Sequence, residues 1–309
     1  MKVFRLSALS VVLCFAVHHA MATEGGGSSY PVGVETNYSG LMLPEGQHVL
    51  LYYQHYAAER AADGGGSDNA RFARFGMRAD VLALRYSHVW SGIRIAGAQL
   101  ESRVVLPLPS LTLDLAIARP APLSPLDKSG SASGVGDISV APLLLGWHSP
   151  SLHQMAGFEL VMPSGAYDVA RNLNTGRNYW QAALIYGLSW MPQSWEASAR
   201  IRYGVNGRNA ATDYRSGDEL SLEFSGGYRL GGGWSAGVNG YVYRQLSDDR
   251  QAGLSVAGDG NRASVNALGP YLAWSMGPRM GIVAKYQQES SAKNRAEGGR
   301  LWVQARYAF

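Results

Sequence analysis

The chain has 309 residues, 46% hydrophobic and only 16% charged, with 38 glycines and 17 tyrosines. That usage suits a sheet protein in a membrane better than a helical cytosolic enzyme, and the scattered formal charge of +4 argues against a nucleic-acid partner. No apolar run beyond the N-terminus approaches the length of a membrane helix, so an integral role requires strands.

Residues 1–22 read as a secretory signal. Lys2 and Arg5 form the basic start, Leu6 to Val17 the apolar stretch, and Ala20-Met21-Ala22 the small-residue cleavage site. Cys14, the only cysteine, lies inside it between Leu13 and Phe15, which does not fit a lipid-attachment signal. The mature chain is therefore expected to carry no thiol or disulfide chemistry. Residues 23–45 are Gly/Ser-rich and then irregular, broken at Tyr30-Pro31 and Leu43-Pro44. Leu41, Met42 and Leu43 would be wasted in water, which favours a segment that plugs a lumen over a free periplasmic tail.

The barrel is expected over residues 46–309. Strand candidates run from Gln47 to Arg60 and, after a polar loop to Gly76, from Arg78 to Trp90. A tight turn at Ser91-Gly92 leads to a strand from Arg94 to Val105. Leu106 to Gly136, rich in Pro, Ser and Gly, reads as a long external loop. Asp137 to His148 and Gln154 to Met162 follow as a hairpin. The clearest strand is Tyr179 to Trp190, with Trp180, Ala182, Leu184, Tyr186, Leu188 and Trp190 on one face. Ten residues at ~3.3 Å, tilted ~40°, climb about 25 Å, the height of an outer-membrane apolar band with an aromatic at each interface. Trp195 to Asn206, Leu220 to Leu230, Trp234 to Gln245, Ser264 to Trp274 and Met280 to Glu289 repeat the device.

The last strand ends Leu301-Trp302-Val303-Gln304-Ala305-Arg306-Tyr307-Ala308-Phe309. Its aromatic end, Tyr307 and Phe309, looks like the insertion signal that barrel assembly machinery reads. Short turns at Ser91, Ser149, Pro192, Gly231 and Gly277 alternate with long polar loops near 61, 120, 170, 212, 255 and 295. This is the layout of a transmembrane antiparallel up-and-down β-barrel of about twelve strands, with both chain ends periplasmic.

If the apolar faces meet lipid, the lumen holds Arg85, Glu101, Arg103, Glu159, Glu196, Arg200, Arg202, Glu223, Arg229, Lys285, Glu289 and Arg306. Two readings stand side by side: a charged constriction that filters solutes, and a ladder of cross-strand ion pairs filling a narrow barrel. Arg200 and Arg202 beside Glu196 and Glu223 are the expected shared network. Tyr241, Tyr243 and Trp302 also fall inward, as a stacking surface for an aromatic solute or as filler. Trp180, Trp190 and Trp195 are the expected interface aromatics.

Several segments resemble the family named for the meta-pathway of phenol degradation, a family of outer-membrane barrels. They are Gly134-Val135-Gly136-Asp137, Leu145-Gly146-Trp147-His148, Met162 to Asp168, Gly176 to Trp180, Thr212 to Glu219, Gly240 to Asp249, and Lys285 to Gly298. The resemblance implies passive uptake of small hydrophobic or aromatic compounds, without catalytic residues to carry over. The alternatives are a lumen-filled structural or surface-interaction barrel, a non-selective porin and an outer-membrane hydrolase. Against the last, His48, His55, His88, His148 and His153 sit in no close Ser/His or metal-spaced motif, so no enzyme activity, cofactor or metal is expected. Asp248, Asp249 and Asp259 read as solvated loop acids before they read as a cation site.

Overall fold

A sheet whose alternate residues are apolar can turn that face to lipid and close on itself, which leaves no unpaired edge in the hydrocarbon. The structure is a computed structural model that describes residues 27–257, 260–277 and 279–309. The signal read at residues 1–22 and Asp259 lie outside the described residues.

Twelve long antiparallel strands form a closed barrel. They are β1 (Gly46–Ala61), β2 (Phe72–Ile95), β3 (Ala98–Ile117), β4 (Ser139–His148), β5 (Leu152–Val161) and β6 (Gln181–Trp190). The second half comprises β7 (Trp195–Asn206), β8 (Glu219–Gly231), β9 (Trp234–Gln245), β10 (Ser264–Met276), β11 (Met280–Lys293) and β12 (Ala296–Ala308). Each strand pairs with its sequence neighbours, and β1 closes on β12 from His48 opposite Ala308 to Ala61 opposite Ala296. A separate four-stranded sheet caps the long-loop end, built from Arg208–Asn209, Tyr214–Arg215, Arg250–Gln251 and Leu254–Ser255.

The burial pattern is that of a core turned inside out. Along β7, Glu196, Ser198, Arg200, Arg202 and Asn206 are buried, while Trp195 and Ile201 are exposed to the bilayer side. Trp180 stands just before β6 and Trp190 ends it, both exposed. Trp195 packs edge-on against Tyr228, Trp234 stacks on Trp274, and Tyr307 meets Phe309, giving a girdle at the short-turn end.

Three local expectations are corrected. The β2–β3 turn is Ala96-Gly97, not Ser91-Gly92. The latter lies in a register break between Val89 and Arg94, a bulge that a glycine at φ 70° accommodates. Second, Leu106 to Ile117 is strand, not loop. Pro107 and Pro109 deny nothing to the β2 ladder there. Their carbonyls face away from β2, accepting from Gly136 and Gly134, so the missing N–H groups point to that far edge as well. Gly130–Ser133, inside the expected loop, pairs with β3 on the same side. Third, the connection near 295 is the two-residue turn Asn294-Arg295, because β11 and β12 run past the membrane band.

Candidate functional site in the barrel lumen

The polar inner faces do not enclose open space, because residues 27–45 run through the lumen and are held by the wall. The Glu223 carboxylate accepts from the backbone N–H of Gly33 (2.6 Å) and Glu35 (2.9 Å) and from the Tyr30 hydroxyl (3.2 Å). Lys285 Nζ donates to the Val34 carbonyl (2.7 Å) and to Thr36 Oγ1 (2.8 Å), and Gln304 also donates to Val34 O (2.7 Å). Gln287 donates to Gly33 O and Arg300 to Val32 O. Further along, Tyr38 N–H reaches Ser198 Oγ, and Gly40 N–H reaches Ser189 Oγ. Met42 and Leu43 end the passage in an apolar cluster with Val89, Ala141 and Leu144. An irregular segment has no partner strand, so side chains of the wall satisfy its backbone instead.

The arginines converge on one carboxylate. Glu35 lies 3.0 Å from Arg85, 3.7 Å from Arg103 and 3.6 Å from Arg200. Glu101 bridges the first two, 3.0 Å from each. The expected four-residue network of Arg200, Arg202, Glu196 and Glu223 is not formed. Arg202 pairs instead with Glu159 (3.0 Å) and Gln181, and Glu196 accepts from Tyr271 (2.6 Å) and Tyr38 (3.2 Å). Register does set Glu223 opposite Arg200, but the N-terminal segment takes Glu223's oxygens. Arg229, half-buried, donates to Met191 O and Trp195 O at the short-turn end, and Arg306 is half-buried there too.

Tyr241, Tyr243 and Trp302 all face inward and are covered. Tyr30 and Val32 pack into one apolar cluster with Tyr241 and Tyr243. Arg295 lies over the Tyr243 ring at 5.0 Å, and Lys285 lies 6.0 Å from the Trp302 ring centre. Glu289 gathers the hydroxyls of Tyr241 (2.6 Å) and Tyr56 (2.8 Å), the N–H of Gly298, and the guanidiniums of Arg295 and Arg300. Between Ser39, Arg103, Met155, Ile185, Gly187 and Arg200 there remain only about 10 Å³, no more than one water fills.

Sequence reading missed Glu35, because an irregular stretch gives no periodicity from which to place a side chain. It also misjudged Asp249, which is fully buried. Its carboxylate accepts from Tyr214 (2.6 Å), Gln245 (2.7 Å) and the Gly217 N–H (2.8 Å), clasping the four-stranded cap to the barrel. Asp248 is instead paired with Arg262 and Ser255. Another clasp is Asp137, which accepts from Gly165 N–H (2.9 Å) and Arg177 N–H (2.7 Å). Burial pushes the Asp137 carboxyl above its ordinary value, against the pull of those two amides.

These clasps coincide with the segments that carry the family resemblance, and comparison with known proteins bears on them directly. Residues 58–305 match the family described as "Putative MetA-pathway of phenol degradation". No curated protein sequence matches. Among solved structures the chain is similar to the COG4313 outer membrane channel from Pseudomonas putida F1. Identity is 19% and the TM-score 0.71, over 87% of this chain and 98% of that one. It is also similar to the transport unit of the autotransporter AIDA-I from Escherichia coli, at 6% identity and a TM-score of 0.52, over 89% and 95%. At these identities the likeness is one of fold, which a channel and an autotransporter unit share. The family match spans Ala58 to Ala305 and every motif named above, so the chain belongs to the phenol meta-pathway family and is an outer-membrane β-barrel.

Proposed function

We propose that this barrel is a passive outer-membrane channel for small hydrophobic, aromatic compounds, closed at rest by its own residues 27–45. The observation that carries the reading is how that segment is held. It adds no strand to the wall and closes no ladder, and side-chain hydrogen bonds and ion pairs are its main attachment. Withdrawing it leaves all twelve strands paired and uncovers Tyr241 and Tyr243 beside the vacated passage. A solute enters among the long loops, passes the arginine and tyrosine constriction, and leaves past the displaced segment or sideways into lipid. Flux follows the gradient, and no residue is assigned a catalytic role. The terminal pair Tyr307 and Phe309 serves assembly, as the signal read by the insertion machinery. Membership of a family named for phenol degradation and a fold shared with the Pseudomonas channel support the reading.

One observation favours a second reading, a lumen-filled structural barrel: the passage is packed to within about 10 Å³ at Arg103 and Arg200. Initial uptake of dilute labelled aromatics, alkanoates and small sugars by cells lacking the gene, with and without its restoration, separates the two. Faster entry of an apolar aromatic with no matching gain for sugars is the expected result. Equal entry across the panel would sink the channel reading and leave the structural one.

A further inference from the structure

The N-terminal segment offers the lumen a particular chemistry, one carboxylate and one aromatic ring that share the cation Arg200. Glu35 faces Arg85, Arg103 and Arg200, all three buried. The Tyr30 ring lies under the Arg202 guanidinium at 4.3 Å and within 5.5 Å of that of Arg200. Arg200 therefore touches both groups, and its Nε, buried, makes no hydrogen bond. We infer that Glu35 and Tyr30 are the internal stand-in for a solute, and that the cage of Arg85, Arg103 and Arg200 is a binding site for the carboxylate of a small aromatic acid. The inference rests on the channel reading above and names the solute class for it.

The balance of charge favours such a ligand. When the segment withdraws, Glu101, which already divides one oxygen between Arg85 and Arg103, and Glu223, released opposite Arg200, are two carboxylates against three guanidiniums. A cage left with excess positive charge in a narrow lumen recruits an anion, and a planar carboxylate is the anion guanidinium forks fit best. Stacking of a ring on Arg202 replaces the Tyr30 contact. The mouth is built to the same sign. In the cap, Arg208, Arg215 and Arg250 stand abreast on adjacent strands, with Asp213 paired to Arg208 (2.7 Å) and Asp218 to Arg215 (3.3 Å), so that three guanidiniums face two carboxylates. They line a cavity of about 430 Å³ in which Asp213 is the one acid. Such a mouth concentrates anions at the entrance.

The test uses benzoate and its neutral counterpart benzyl alcohol against the full-length protein in detergent. Glu35→Ala vacates the carboxylate position and removes the segment's ion-pair hold on the cage, so that benzoate can displace Tyr30 from Arg202 while all strand pairings stay. The expected result is benzoate binding to Glu35→Ala about tenfold or more tighter than to wild type. Benzyl alcohol should not discriminate the two, and adding Arg200→Gln should abolish the gain. Equal benzoate binding by Glu35→Ala and Glu35→Ala/Arg200→Gln would overturn the inference. Should Glu35→Ala fail to yield a heat-modifiable folded barrel, Glu35→Ser, which also clears the carboxylate position, is read by the same criteria. Uptake by cells distinguishes the two levels of claim. Entry of benzyl alcohol with no cage-dependent benzoate binding sinks the aromatic-acid site and leaves the channel. Cage-dependent binding with entry of neither compound keeps the site and sinks the channel.

Discussion

At Gly187 the wall of the barrel touches the chain that closes it. A Cβ built there would fall on the Ser39 carbonyl oxygen and 2.7 Å from its carbon, while Gly40 N–H bonds Ser189 two residues along β6. The close approach is backbone to backbone, so no rotamer change relieves it. Gly187→Ala is accordingly expected to expel the segment near Ser39 and leave the strand ladder intact, since the lumen side is where the methyl must go. The strain, about 1–3 kcal/mol, is comparable to what the local hydrogen bonds contribute. Ion conductance through single barrels in planar bilayers should rise above that of the wild type while resistance to SDS unfolding persists. Unchanged conductance would show that the wall yields and the segment does not.

Among the strands, the reading of faces from sequence worked best where one lipid-facing residue alternates with one lumen-facing residue over ten or more positions. In β7 and β9 the expected spans, Trp195 to Asn206 and Trp234 to Gln245, are also the observed ones. It failed where sequence chemistry and position in the sheet diverge. Pro107 and Pro109 read as breakers, and only the pairing of β3 shows that their missing donors face an edge that does not need them. Leu41 to Leu43 pointed to a plug, but the partners of that segment in the lumen were beyond reach for a related reason. Glu35 meets Arg85, Arg103 and Arg200 across 50 to 165 residues of sequence, with nothing periodic to announce it. A lipid-face prediction follows from β6. Leu184 is 66% exposed, near the middle of the strand, and flanked by the exposed Trp180 and Trp190, the interface aromatics expected from the sequence. Leu184→Arg should destabilise the barrel by about 2–4 kcal/mol in urea titrations from lipid vesicles. An effect near zero would place the bilayer midplane elsewhere.

Over the whole molecule, the segments by which the family is recognised are the clasps of the long-loop end more than the lining of the lumen. Gly136-Asp137, Ser164-Gly165 and Gly176-Arg177 meet at the Asp137 carboxylate, where a Cβ on Gly165 would stand 2.7 Å from Gly176 Cα. Tyr214, Gly217 and Gln245 meet at Asp249. Glu289, Arg295 and Gly298 meet around one carboxylate in the last hairpin. The Asp137 and Asp249 clasps hold loops that the barrel ladder does not, so the cap forms a local unit able to open without unfolding the barrel. Asp249→Ala removes the shared acceptor of the Tyr214 hydroxyl, the Gly217 N–H and the Gln245 amide, the last of which keeps Ser247 O, at about 1–3 kcal/mol for each group left buried and unpaired. The cap, tied by short two-residue strands, gives way before the twelve-stranded wall does. Limited trypsin digestion should then cut Asp249→Ala at Arg208, Arg215, Arg250 or Arg262 under conditions that spare wild type. The SDS-resistant barrel should survive. Asp248→Ala is the comparison: among the described residues it loses its pairing with Arg262 and Ser255, outside the Asp249 clasp, and should digest like wild type. Were both variants cut alike, the cap would be held by its own sheet and not by Asp249. Were neither cut, the cap would be part of the rigid barrel, and solute entry would require a route that leaves it in place.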